Sequence, residues 1–221
     1  MSPWLEQLKI ALEAKSNKEN AYWMTKYMRN QFQFLGVKKP EQMEVFKQLF
    51  KSYPFPQNYL EIPNEMLDLP QHEFHYLAMV LVQKLKKDWD ENVLDWVEKT
   101  ALRYPWWDVT DVLAPKILGP YFLKYPQQKS NYLDRWMASN NFWLQRMCII
   151  YVLDYKDKTD TADLQEIILQ LASSKEFFIQ KAIGWVLRQY ARTNPNWVLQ
   201  FVQNSSLPAL SKREALKHLK S

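Results

Sequence analysis

An aromatic-led pentad recurs along this chain at intervals of 35 residues, and that interval limits the architectures open to it. Phe142-Trp143-Leu144-Gln145-Arg146 is echoed by Phe177-Phe178-Ile179-Gln180-Lys181 and, upstream, by Trp107-Asp108-Val109-Thr110-Asp111. Glu73-Phe74-His75-Tyr76 is a looser echo one more period back. Apolar residues fall at helical spacing throughout, and period-two alternation is scarce. The spacing predicts helices over 3–15, 18–34, 40–52, 56–67, 70–87, 89–102, 106–113, 115–124, 127–139, 141–155, 160–173, 175–192, 195–203 and 207–219. Such short helices suit either a globin-like ball or a solenoid. A fixed period with two helices per unit selects the stacked α-α solenoid of HEAT type, an all-α fold. Each hairpin then buries one face against its neighbours. About six units share one core, so residues 1–221 are expected to form a single domain with a concave inner face.

Punctuation agrees with helices. Pro40 and Pro70 fall at predicted helix starts, where a missing N–H costs nothing. Pro54, Pro56, Pro105, Pro126 and Pro195 fall at joints, while Pro120 is placed inside a kinked helix. Asp160 and Ser174 are predicted N-caps. Only Gly36, Gly119 and Gly184 are glycines, so tight hairpins and phosphate-cradling glycine loops are excluded. That removes P-loop NTPases, typical kinases and Rossmann dehydrogenases. Cys148 is the single cysteine, which forbids an intrachain disulfide and points to a reducing, cytoplasmic compartment. His72, His75 and His218 lack zinc-site spacing, so no metal is expected. The first residues do not read as a secretory signal, and no apolar run is long enough to span a membrane.

The net charge of +5 is unevenly spread. From Lys175 onward eight basic residues (Lys175, Lys181, Arg188, Arg192, Lys212, Arg213, Lys217, Lys220) face two acidic ones, Glu176 and Glu214. A cationic end on a near-neutral body suggests a polyanion, nucleic acid before anionic membrane; a solvated basic surface is the plain alternative. Lys181, Trp185, Arg188 and Arg192 share one helix face, where a tryptophan amid cations suits stacking beside a phosphate backbone. Equally, Trp185 is a core-edge residue and the cations snorkel. Gly184, beside it in mid-helix, permits close approach of another helix or a ligand. Asp111, Arg146 and Lys181 are equivalent in three successive repeats, forming either a functional row or an inter-repeat salt-bridge ladder. Trp107 shares a face with Asp111, whereas Trp106 reads as core. Arg146 sits in an apolar setting and needs an acid or a bound phosphate. Tyr27 is an aromatic in an exposed or hinge position.

Several stretches resemble the AlkD family of DNA alkylation repair glycosylases, which have HEAT-like repeats: KYMRNQFQFLG (26–36), WWDVTDVLAPKILGPYFLKYP (106–126), WMASNNFWLQR (136–146), SSKEFFIQKAIGWVLRQYARTNP (173–195) and LSKREALKHLK (210–220). The pattern departs at Lys38-Lys39 and at Asp154. The resemblance implies a monofunctional glycosylase that hydrolyses the N-glycosidic bond of N3-methyladenine and N7-methylguanine in duplex DNA, without cofactor or metal, as a monomer. It carries the catalytic cleft onto Trp107, Asp111, Arg146 and Trp185, with Tyr27 a further cleft aromatic. Asp111 would stabilise the sugar cation and position water; Trp107 and Trp185 would offer π-faces. Arg146, with Lys181, Arg188 and Arg192, would grip phosphates. A non-catalytic HEAT-repeat binder of damaged or branched DNA is the competing reading. A protein–protein scaffold would not need the cationic tryptophan face.

Overall fold

Local capping signals set most helix starts. In a computed structural model that describes residues 1–219, Ser2 Oγ accepts from Leu5 N and Pro3 opens α1 (Pro3–Glu13). Its stripe of Trp4, Leu5, Leu8 and Leu12 is buried. Asn17 caps α2 (Lys18–Tyr27). α3 (Lys39–Phe50), α4 (Glu61–Leu67) and α5 (His72–Lys84) follow. With residues up to Val93, these helices form one compact unit, Met1–Val93. The predicted helix 18–34 stops early because Arg29 (φ 54°) and Asn30 (φ 59°) adopt the left-handed conformation. The loop beyond them is fixed by the buried carboxylate of Glu73, which accepts from the amides of Leu35, Gly36 and Val37 at 3.1, 2.9 and 3.2 Å. Gly36 has φ 86°, and a Cβ there would lie 2.0 Å from the carbonyl oxygen of Asn17. The predicted helix 56–67 begins later, at Glu61.

Leu94–Ser221 is the second unit. Lys220, counted among its cations, lies outside the described residues. Its helices are α6 (Asn92–Arg103), α7 (Trp107–Leu113), α8 (Gly119–Lys124), α9 (Lys129–Met137), α10 (Phe142–Ile150), α11 (Thr161–Leu171), α12 (Phe177–Tyr190), α13 (Pro195–Asn204) and α14 (Ala209–Ala215). They alternate between two layers. α10 packs between α7 and α12, and α12 packs on α14. In the other layer α9 is tied to α6 by Tyr132–Asp95 and Arg135–Glu98, and to α11 by Lys129–Asp163. The fold is all-α: among the described residues the sole extended pairing is an isolated bridge between Gln33 and Gln71.

Boundaries in this unit also differ from the periodicity, and the predicted helix 207–219 is α14, Ala209–Ala215. Ala114–Leu118 is a π-helical turn joining α7 to α8. Pro115 and Pro120 lack the N–H groups an α-helix would need, so the chain widens instead of kinking. The predicted helix 141–155 ends at Ile150 and leads to a 3-10 turn, Lys156–Lys158, where Lys156 has φ 53°. Asp160 caps α11 as expected, but α12 starts at Phe177, and Ser174 Oγ instead accepts from Glu176 N in the preceding turn.

Candidate functional site

Two of the three equivalent repeat positions meet as a rung between stacked helices. Arg146 on α10 donates from Nε and Nη2 to Oδ1 of Asp111 on α7, at 3.0 and 2.7 Å. Its Nη1 donates to the carbonyl of Phe178 on α12 at 2.6 Å. Lys181, one rung on, pairs with Glu214 of α14 at 3.1 Å. Arg146 is only 4% exposed, so its guanidinium is enclosed and its donors hold a carboxylate and a backbone carbonyl. Of the partners open to it, an acid or a bound phosphate, it holds the acid, Asp111.

Asp111 is the part of this arrangement that solvent reaches, with its side chain 20% exposed. Both Arg146 donors fall on Oδ1. Among the described residues, Oδ2 accepts no hydrogen bond. Burial pushes the carboxyl up to about 6; Arg146 pulls it down and Asp108 adds to the rise. Trp185 on α12 lies beside Arg146, its ring centroid 6.0 Å from Arg146 Cζ. Trp107 is half-buried at the start of α7, one turn before Asp111. Asp111, Arg146 and Trp185 are thus brought together, with Trp107 on the helix that carries the acid.

Behind them is an aromatic wall. Trp106, assigned to the core, packs on Trp143 and Phe178 at centroid distances of 5.9 and 5.8 Å. Trp143 and Phe178 are 4.8 Å apart. These rings hold the α7, α10 and α12 starts in register, which aims the Arg146 fork.

The row expected to grip phosphates is divided. Lys181 and Arg188 both engage Glu214: Arg188 Nη1 reaches Oε2 at 2.6 Å and the Glu214 carbonyl at 3.1 Å. The two cations hold the carboxyl of Glu214 below its usual range. Gly184 makes this possible, since a Cβ there would lie 2.5 Å from Glu214 Cβ; the close approach it permits is that of α14. Arg192 is exposed beyond the end of α12 and has no ion-pair partner among the described residues. Tyr27 ends α2 in the first unit and is 70% exposed. Glu214 and the Phe178 carbonyl were not foreseen. Glu214 had a signal, being one of two acids in a cationic stretch; a backbone carbonyl has none.

The family model for DNA alkylation repair enzymes matches residues 8–219. A solved structure described as a predicted DNA alkylation repair enzyme from Enterococcus faecalis is 30% identical, with a TM-score of 0.85, over 93% of this chain and 97% of that one. No curated protein matches. With the family model spanning nearly its whole length, the chain belongs to the DNA alkylation repair enzyme family.

Proposed function

We propose that this protein is a monofunctional DNA glycosylase for positively charged alkylated purines, N3-methyladenine and N7-methylguanine, in duplex DNA. The observation that carries the reading is the asymmetric hold on Asp111: Arg146 takes Oδ1 and leaves Oδ2 with no protein donor among the described residues. Alkylation at N3 or N7 gives the base a positive charge and makes it a good leaving group. Breaking the C1′–N bond then builds oxocarbenium character on the sugar. A fixed anion beside C1′ stabilises that charge, and the same carboxylate orients a water for attack. The water bonds to C1′, its proton passes to solvent or to Asp111, and the base leaves as a neutral molecule. Arg146 is a positioning residue here. Trp185 and Trp107 offer π-faces to the cationic nucleotide. Residues 1–221 are read as one glycosylase domain, and Tyr27 as a DNA-binding aromatic.

Chromatography of bases released from N-methylated duplex DNA tests the proposal directly. Release of methylpurines with an intact abasic strand supports it; intact methylated DNA after prolonged incubation overturns it. Because Lys181 is engaged by Glu214, borohydride should trap no covalent adduct. One observation favours the second reading, a non-catalytic binder: the Asp111–Arg146 pair is also a structural rung. In that case methylated DNA is bound and no base is released.

A further inference from the structure

Lys181 and Arg188 are committed to Glu214, whereas a cavity of about 500 Å³ at the far end of α12 is bordered by two other cations. Val152, Leu153 and Val186 line it and are themselves buried, giving it an apolar floor. Lys156 and Arg192 stand on its rim, both exposed. Neither has an ion-pair partner among the described residues. Asp157, also on the rim, offsets one of the two charges. Tyr190 adds an aromatic face.

Two further observations point to a ligand. Lys156 holds φ 53° in an exposed turn, a conformation costly for a residue with a side chain and concentrated at binding sites. Arg192 follows Trp185 by seven positions and stands in the turn that closes α12, where its amide donates to the Gln189 carbonyl. At 1.5 Å per residue the separation is about 10 Å, which is about three nucleotide steps along a DNA strand at 3.4 Å each.

We infer that this cavity holds one nucleotide unit of the DNA strand that passes Trp185. Its phosphate is neutralised by Lys156 and Arg192, and its sugar rests on the apolar floor. The inference rests on the reading of Trp185 as DNA-facing. It moves the phosphate grip of this unit from the Glu214-bound cations to a turn that the periodicity had assigned to a helix.

The test is fluorescence anisotropy with an unmodified labelled duplex, titrated across salt concentrations. Lys156→Gln and Arg192→Gln should each reduce the slope of log K against log salt by about 0.9, and the double variant by about twice that. Lys156→Arg should keep the wild-type slope. Lys156→Gly should lose the slope increment without a fall in Tm, since glycine is at ease at that φ. Unchanged slopes in folded variants overturn the site. So does saturable calorimetric binding of free thymidine monophosphate that Lys156→Gln abolishes while the DNA slope stays unchanged. Base release is measured separately on methylated DNA. Wild-type protein that releases methylpurines, with variants of unchanged slope, removes this site alone. Flattened slopes with no base release remove the glycosylase reading alone.

Discussion

Asp111 couples two properties that mutation and pH can separate. Its carboxylate is partly buried and tied at Oδ1 to Arg146, whose guanidinium lies beside Trp185. Asp111→Asn keeps the shape and an acceptor for Arg146 but removes the charge. The single-turnover rate of base release is expected to fall by about 10²–10³, the scale of one lost preorganised electrostatic contact. Stability should fall too, by at most about 3–5 kcal/mol, the range for leaving a buried partner charge uncompensated. Measuring the rate well below the variant's Tm separates the two effects; a folded variant with the wild-type rate removes Asp111 from the mechanism. Titration gives a second check. Because the carboxyl is pushed up to about 6, the ionised form is lost as pH falls through 6. The excision rate should then drop tenfold per pH unit below that value and level off above it, and Asp111→Asn should abolish the step. The effect on stability has the opposite sense. A folded-state value above the unfolded one means this group favours folding at low pH, and that contribution disappears as pH rises from about 4 to 6.

Between elements, the period of the sequence becomes a set of polar bridges between stacked helices. Arg146 reaches back to Asp111, Lys181 and Arg188 reach forward to Glu214, and Lys129 pairs with Asp163. Tyr155 Oη donates to the Gly119 carbonyl at 2.8 Å, and Ser211 Oγ to that of Gln180 at 2.8 Å. The tightest junction is α12 on α14, where Gly184 leaves room for Glu214. Gly184→Ala would gain about 1 kcal/mol of helix propensity. Against that, the new Cβ would sit 2.5 Å from Glu214 Cβ and 3.0 Å from the Ser211 carbonyl oxygen. The clash is with groups next to or in the backbone, so overpacking wins. A net loss of about 1–2 kcal/mol is expected in a denaturant titration. Displaced α14 would also release Lys181 and Arg188, and the salt dependence of DNA binding should steepen. A variant more stable than wild type would show that α14 moves aside at no cost.

At the scale of the molecule, the core of the second unit runs through all of its repeats, and Cys148 reports on it. The thiol is fully buried, its sulfur faces the Leu133 carbonyl, and burial pushes its ionisation up. Thiolate is the reactive form, so a thiol reagent should label native protein slowly. The labelling rate should rise with denaturant in step with the loss of helical circular dichroism. Rapid labelling without denaturant would mean that α10 opens on its own.

Sequence alone determined the all-α class, the 35-residue spacing and the repeat equivalence of Asp111 and Arg146, which pair in the structure. Helical periodicity and repeat equivalence are local or register properties, and they are written along the chain. What each cation does was decided by tertiary structure. Arg146, Lys181 and Arg188 read alike as candidate phosphate contacts, yet stacking encloses the first and sets Glu214 against the other two. The loop after Tyr27 reads as more helix until a buried glutamate 37 residues after Gly36 takes its amides. Ion pairs and carboxylate–amide bonds form between residues a whole repeat apart, and their partners are chosen by how the helices stack, which no local pattern records.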